Sequence, residues 1–402
     1  MDECFIANSY IVVCWSKKEI FMKYCKKCLQ PDTRPNIVFD DEQICYACRY
    51  EESKKNIDWD ERHKDLLKIA EWAKNESRQR KISYDCVIGV SGGKDSTFQA
   101  IYAKEKMGLH PLLVNCAPDE ITAAGRKNLD NLNRLGFDII SIKPNPNIAR
   151  QLARKCFFEK GNIVISSEYC LWASAYIMAD KFNIPLIIQG ENAALTLGAA
   201  KKQSIDDDAY SVVDLDTLSG ARVENLLEGE NNITLDEMFF YQMPSIEEMK
   251  MKGIKAIFLQ YYVPEWSQVG NMFFSIARGL MGRTTEDLHD LGGYYRYNAV
   301  DNDLLMANQM IKYLKFGFGA TTDQVCYDIR EGRMTREDAI WYVNEYDGKC
   351  GEQYIDYACK YLSISKQEFW TVVDNFVNKK LFEKDKNGKW IPKFTVGVDY
   401  VV

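Results

Sequence analysis

Apolar and polar positions along this chain fall into alternating blocks. Four short apolar runs, Tyr84–Val90, Pro111–Asn115, Asp138–Ile142 and Pro185–Gln189, have the length and composition of buried strands. Between them, Ser96–Met107, Thr122–Leu135 and Cys170–Phe182 repeat apolar residues at helical spacing. Strands alternating with amphipathic helices predict an α/β fold, with a parallel, doubly wound sheet covered on both faces. Upstream, the charged segment Asp60–Ile82 places Leu66, Leu67, Ile69, Ala70 and Ala73 on one helical face. Downstream, Lys201–Asn232 is polar and rich in Asp and Gly, which predicts a long active-site loop or lid. Beyond it, helices are expected at Ile246–Lys252, Asn271–Gly279, Asn302–Leu314, Arg336–Glu345, Gln353–Tyr361 and Lys366–Asn378, a mostly helical C-terminal region.

Length and composition narrow the class. A chain of 402 residues is long enough for two or three domains, and 46% hydrophobic with 27% charged residues is ordinary for a globular protein. No run approaches the roughly 18 to 20 apolar residues of a membrane span. A net charge of −7 argues against nucleic acid as the main partner. Met1–Phe21 opens on Asp2 and Glu3 and holds only the short apolar run Tyr10–Trp15, which is not a secretory pattern. A compact cysteine module begins directly after Met22, which makes Met22 a candidate start and 1–21 a candidate extension. Of the thirteen cysteines, nine are scattered and several sit in apolar runs, which suits a reducing, cytoplasmic setting.

Candidate chemistry concentrates at Ser91-Gly92-Gly93-Lys94-Asp95-Ser96, between the first strand and the first helix of the alternating region. Two glycines permit a tight turn and close approach of a ligand. The helix nose adds unpaired N–H groups and a positive dipole end, so the segment predicts an anion site. Two other strand ends would line the same crevice, at Val114-Asn115-Cys116-Ala117 and at Gln189-Gly190-Glu191-Asn192. Asn192 also suits a plain helix cap. Separately, Cys25-x-x-Cys28 and Cys45-x-x-Cys48 have the spacing of a closed structural zinc ribbon, with an iron–sulfur or redox pair as rivals.

The hexapeptide resembles the SGGxDS loop of PP-loop ATP pyrophosphatases, of the adenine nucleotide alpha hydrolase type. That likeness implies ATP and Mg²⁺, with Ser91, Gly92, Gly93, Asp95 and Ser96 at the phosphates and Val114, Asn115 and Gly190 elsewhere around the nucleotide. With Tyr24–Pro35 and the second CxxC, the chain further resembles the N-acetyl sugar amidotransferases of bacterial lipopolysaccharide and nonulosonate (pseudaminic acid) biosynthesis. Gly125–Leu129, Gly190–Asn192, Lys315–Gly319 and Arg330–Arg333 carry weaker parts of the likeness. The organisation it implies is an extension at 1–21, a zinc-ribbon module at 22–58, a linker helix at 59–82, a PP-loop domain at 83–300 and a helical region at 301–402. It also implies conversion of an acetamido group to an acetamidino group through an O-adenylyl imidate, with ammonia from a separate glutaminase.

Within that scheme Asp95, Lys94 and Glu191 are the candidate catalytic residues; Glu191 would orient the acetamido group or ammonia and take a proton. Arg126, Arg278, Arg330 and Arg333 are candidates for an acidic group on the sugar, each with a surface role as the alternative. Only His63, His110 and His289 exist, and no histidine follows Gly348-Lys349-Cys350-Gly351, so no internal Cys–His–Glu glutaminase is expected. The competing reading is tRNA thiolation, for which Cys116, Cys156 and Cys170 are candidate thiols or, alternatively, buried apolar residues.

Overall fold

The computed structural model describes residues 20–201, 205–215, 218, 220–228 and 232–401. The run Tyr10–Trp15, nearly all of 1–21 and part of the polar loop at 201–232 lie outside the described residues. The elements begin with β1 (Ile20–Met22), α1 (Tyr46–Ser53), α2 (Trp59–Arg80), β2 (Cys86–Gly89), α3 (Lys94–Glu105), β3 (Pro111–Cys116), α4 (Ala123–Arg134) and β4 (Asp138–Ile142). They continue with α5 (Pro146–Lys160), α6 (Ile165–Phe182), β5 (Leu186–Gln189), α7 (Ala193–Thr196), α8 (Ile246–Met251), β6 (Lys255–Phe258) and α9 (Gln268–Ile276). Last come α10 (Leu304–Phe316), α11 (Ala320–Arg330), α12 (Arg336–Tyr346), α13 (Glu352–Leu362), α14 (Lys366–Phe376), β7 (Phe382–Lys384), β8 (Trp390–Pro392) and β9 (Tyr400–Val401).

Strands β2 to β6 form a parallel sheet in the order β4-β3-β2-β5-β6. Cys86 and Ile88 pack with Leu66 and Ala70 of α2 and Phe98 and Ile101 of α3. Val87 packs with Leu152 of α5 and Tyr176 of α6 in a separate cluster. Burial on both faces is why β2, β3 and β5 read as unbroken apolar runs, whereas in β4, at the sheet edge, only Ile142 is buried. The chain builds outward from β2 to β4 and then returns to the far side of β2 with β5 and β6. The strand order therefore reverses between β2 and β5, where a crevice opens outside the carboxyl ends.

The apolar runs located four of these strands to within two residues. The fifth, β6, is only four residues long, begins on exposed Lys255, and was not expected. Helix α5 was also missed, because Pro144-x-Pro146 reads as loop; Pro146 in fact occupies the first turn behind the Asn145 cap, where its missing N–H costs nothing. Helix α6 starts at Ile165, so Cys170 lies inside a helix and not at its start. Helix α11 and the β7–β8 hairpin were likewise not anticipated.

The C-terminal helices do not form a core of their own. Ile311, Val325, Val343, Ile355 and Phe369 belong to one apolar cluster with Met22, Cys25, Leu29 and Cys45. A cysteine module of this size buries too little apolar surface alone, and sharing the helical core supplies the remainder. Pairing of β1 with β9 brings the two ends of the described chain together. No helix among the described residues is long and apolar enough to cross a membrane.

Candidate active site

The connection from β2 to α3 is Val90–Gly93, and its shape depends on glycine. Gly92 has φ +83°, and a Cβ there would stand 2.7 Å from the Gly125 carbonyl oxygen and 3.2 Å from Asn128 Cβ. Asn128 of α4 fastens the loop: its Nδ2 donates to the carbonyls of Gly92 (2.8 Å) and Met281 (2.9 Å), and its Oδ1 accepts from Met281 N (2.8 Å). Gly125 in turn lets α4 approach Asp301, whose Cα would lie 2.8 Å from an added Cβ. That gives the Gly125–Leu129 segment a physical purpose. Gly93 caps α3 without a side-chain hydrogen bond, which leaves the first-turn N–H groups open to an anion.

Helix α3 begins at Lys94, two residues before the expected Ser96, so Lys94 and Asp95 belong to its first turn. Ser96 Oγ sits 3.3 Å from the Gly93 carbonyl, and Ser91 Oγ lies against Gly93. Asp95 is held from both sides: Lys94 Nζ donates to Oδ2 at 2.7 Å and Asn271 Nδ2 donates to Oδ1 at 2.9 Å. Ser275 Oγ donates to the Lys94 carbonyl at 2.8 Å. Asn271 and Ser275 stand four residues apart on α9, one face of which thus buttresses the loop. Neither was anticipated; polar residues at helical spacing in a helix of mixed composition carry no signal of their own.

Strand β5 delivers the second half of the site, because Ile188 pairs in parallel register with Ile88. Gly190 passes beneath Trp266, whose ring an added Cβ would meet at 2.8 Å. The next residue, Glu191, accepts from Thr196 Oγ1 and, at 2.8 Å, from Gln268 Nε2. Burial pushes its pKa up, and the nearby Asp95 charge pushes it further. Asn192 caps α7 by accepting from Ala194 N at 2.9 Å. Lys94, Asp95, Glu191 and Gln268 line one cavity of about 230 Å³ with Tyr295, Tyr297 and Gln309.

A separate cavity of about 300 Å³ opens at the end of β3, among Asn115, Cys116, Asp119, Trp172 and Asp301. Val114 does not line it. This residue is 1% exposed and its carbonyl accepts from Val90 N at 2.8 Å, so at this strand end the crevice begins one residue later than expected. The Asn115 side chain donates to the Val90 carbonyl at 2.8 Å and ties the two strand ends together. Asp119 accepts from Tyr361 and Asn302, which fastens the loop after β3 to the C-terminal helices.

Cys25, Cys28, Cys45 and Cys48 are all buried, with their sulfurs within 4.8 Å of one another. Sγ–Sγ separations are 3.9 Å for Cys25–Cys48 and 3.7 Å for Cys28–Cys45. A tetrahedral Zn²⁺ with Zn–S near 2.3 Å needs sulfurs about 3.8 Å apart, so the four residues fit that ion. Four sulfur ligands would close its coordination and limit it to holding the module together. The module also braces the site: Val38 N donates to the Gly198 carbonyl at 3.1 Å, and Lys201 N donates to that of Asn36 at 3.3 Å. Arg330 spans the two, with Nη1 4.0 Å from Cys28 Sγ and Nη2 donating to the Thr196 carbonyl at 2.7 Å.

That placement removes Arg330 from the arginines expected at a sugar acid. Arg333 is paired with Asp328 and Glu331, and Arg278 stacks on Phe274 beside Glu105. None of these, nor Arg126, lines the cavities described. Of the candidate thiols, Cys116 and Cys170 meet at 2.8 Å in the interior, where the contact with Cys116 and burial raise the Cys170 pKa. Burial pushes Cys156 up to about 11. Gly317, with φ +78°, stops α10, while Phe316 and Phe318 face a third cavity.

Residues 292–395 match the family model described as LPS biosynthesis protein WbpG-like, C-terminal domain. The C-terminal region is thus similar to that of an LPS biosynthesis protein, as the resemblance to the lipopolysaccharide enzymes leads one to expect. No curated protein matches the chain. Among solved structures it is similar to an NMN synthetase from Francisella tularensis, at 18% identity and a TM-score of 0.28, over 57% of this chain and 100% of that one. It is also similar to an NH₃-dependent NAD synthetase from Campylobacter jejuni, at 17% identity and a TM-score of 0.26, over 57% and 100%. An NAD⁺ synthetase from Burkholderia pseudomallei follows, at 12% identity and 0.27, over 58% and 96%.

Proposed function

We propose that this protein is an ATP-dependent amidotransferase that converts an acetamido group of a bacterial surface-glycan precursor into an acetamidino group. The observation that carries the reading is the meeting of Lys94 and Asp95, which directly follow the glycine loop, with Glu191 in one cavity at the reversal point of the sheet. The WbpG-like match over 292–395 supports the biosynthetic setting.

The loop suits a triphosphate: only Ser91 Oγ stands near the place of a Cβ at Gly93, and the uncapped first-turn N–H groups of α3 would donate to a leaving pyrophosphate. Asp95 is the carboxylate that would hold Mg²⁺ there, and a bound Mg²⁺ would neutralise charge on the phosphates. The acetamido oxygen attacks the α-phosphorus, pyrophosphate leaves, ammonia adds to the imidate carbon, and AMP departs as the amidine forms. Glu191, anchored by Thr196 and Gln268, takes a proton from the incoming nitrogen. A separate glutaminase is the proposed ammonia source; His110 bonds Ser83, His289 bridges Asp287 and Glu345, and no cysteine is hydrogen-bonded to a histidine among the described residues.

The test supplies ATP, Mg²⁺, ammonium and candidate acetamido sugars. The expected products are AMP, pyrophosphate and a sugar about 1 Da lighter, from oxygen exchanged for NH. Release of ADP would overturn the assignment. The second reading, thiolation, requires activity to vanish in Cys116→Ser and Cys170→Ser and tRNA to be the acceptor; the contact with Cys116 and the burial that raise the Cys170 pKa argue against it.

A further inference from the structure

Helix α11 serves two neighbours. Asp323, Cys326 and Arg330, at helical spacing, meet the cysteine module. Gln30 Nε2 donates to Asp323 Oδ1 at 2.7 Å, Arg34 pairs with the same carboxylate, and Leu29 N donates to Cys326 Sγ at 3.3 Å. Ala320, Asp323, Gln324 and Tyr327 line the cavity of Asp95 and Glu191. One helix is therefore both a wall of the candidate active site and the seat of the four-cysteine cluster.

Arg330 makes the most direct link between the two. Its Nη1 lies 4.0 Å from Cys28 Sγ, its Nη2 donates to the Thr196 carbonyl at 2.7 Å, and its guanidinium carbon stands 5.0 Å from the centre of the Tyr327 ring. No carboxylate pairs with it among the described residues, whereas Arg333 is engaged by Asp328 and Glu331. Four thiolates carry more negative charge than one Zn²⁺ neutralises, so a loaded cluster is the anion that holds this guanidinium. Thr196 is the last residue of α7, and its hydroxyl donates to Glu191. Burial and the Asp95 charge raise the Glu191 pKa, and the Thr196 bond opposes them.

We infer that Arg330 is a positioning residue that couples the four-cysteine site to Glu191: Cys28 fixes one arm of its guanidinium, and the other arm fixes Thr196, from which the carboxylate is held. The inference rests on the amidotransferase reading for the role of Glu191. It adds a device by which metal loading governs the candidate active site, where the closed coordination alone implies only a brace. Loss of the ion takes away the anionic anchor of Arg330, slackens the Thr196 end of α7 and leaves Glu191 harder to ionise.

The experiment compares the zinc-loaded full chain with Arg330→Met, Arg330→Lys and Thr196→Val. The first readout, zinc release to a chromogenic chelator, needs no turnover. Release quickens about tenfold in Arg330→Met, stays native in Thr196→Val, and is restored in Arg330→Lys, which keeps a charge beside Cys28. The second is the pH–rate profile of pyrophosphate release with ATP, Mg²⁺, ammonium and an acetamido sugar. Its acid limb moves up by about one pH unit in Arg330→Met and in Thr196→Val. The double variant moves it no further, because both changes break the same chain of contacts. Arg330→Lys, with one nitrogen in place of the fork, retains the zinc yet shows the displaced limb. Melting temperature confirms folding, and Arg330→Lys carries the test where methionine loosens the structure. Native zinc release in Arg330→Met, a native limb in Arg330→Lys, additive displacement in the double variant, or a native chain without zinc at the four cysteines overturns the coupling. Native protein that releases no pyrophosphate with any acceptor overturns the amidotransferase reading, and with it Glu191 as the group held; native turnover with unaffected variants overturns the coupling alone.

Discussion

Replacing Gly92 by alanine tests the anion cradle with the smallest available change. The added Cβ would sit 2.7 Å from the Gly125 carbonyl oxygen, where ordinary contact begins at about 3.4 Å, so the loop must shift by about 0.7 Å. The φ of +83° adds roughly 1–2 kcal/mol of strain for a residue with a side chain. Strain and a weakened Asn128–Gly92 bond together amount to about 2–4 kcal/mol of lost stability. A displacement of this size at the phosphates also costs on the order of 10²-fold in turnover. Gly332→Ala is the control: its φ is +71° with nothing within 4 Å of the added carbon, so it carries strain without collision. Melting temperature and pyrophosphate release, measured on both variants, separate the effects. Gly92→Ala should lose both stability and turnover, and Gly332→Ala only the smaller share of stability. Native turnover in Gly92→Ala would refute the reasoning, because a loop that absorbs the collision without loss is not gripping the triphosphate.

Three further outcomes are expected. Glu191, with its pKa raised by burial and by Asp95, ionises only above the ordinary carboxylate range, so turnover should fall on the acid side at correspondingly higher pH. Glu191→Gln should remove that acid limb and lower kcat about 10²–10⁴-fold, measured as a pH–rate profile. Elemental analysis should find zinc bound at the four cysteines; its removal by a chelator should lower the melting temperature of the C-terminal helices as well, since they share a core with the module. Burial pushes Asp301 up to about 6, so the stability it contributes is full below the ordinary carboxyl pKa and is lost as pH rises through about 6. Asp301→Asn should therefore gain about 2–3 kcal/mol over the native chain at pH 8 and little at pH 4, read by urea unfolding.

Local signals were legible in the chain because they act within a turn or two of backbone. The apolar runs marked β2 to β5, Asn192 announced its cap, and the two CxxC pairs met at zinc-like separations. The strand–glycine–helix order of Ser91–Ser96 placed a glycine turn and the first turn of α3 at one end of the sheet. Tertiary structure decided the partners. Asp95 finds Asn271 across 176 positions, and Arg330 finds Thr196 across 134. Whether an arginine meets a sulfur, an acid or a ring depends on which helices the sheet order brings together. No periodicity within a segment encodes that, because hydrogen bonds and ion pairs between distant segments exist only once the topology has closed.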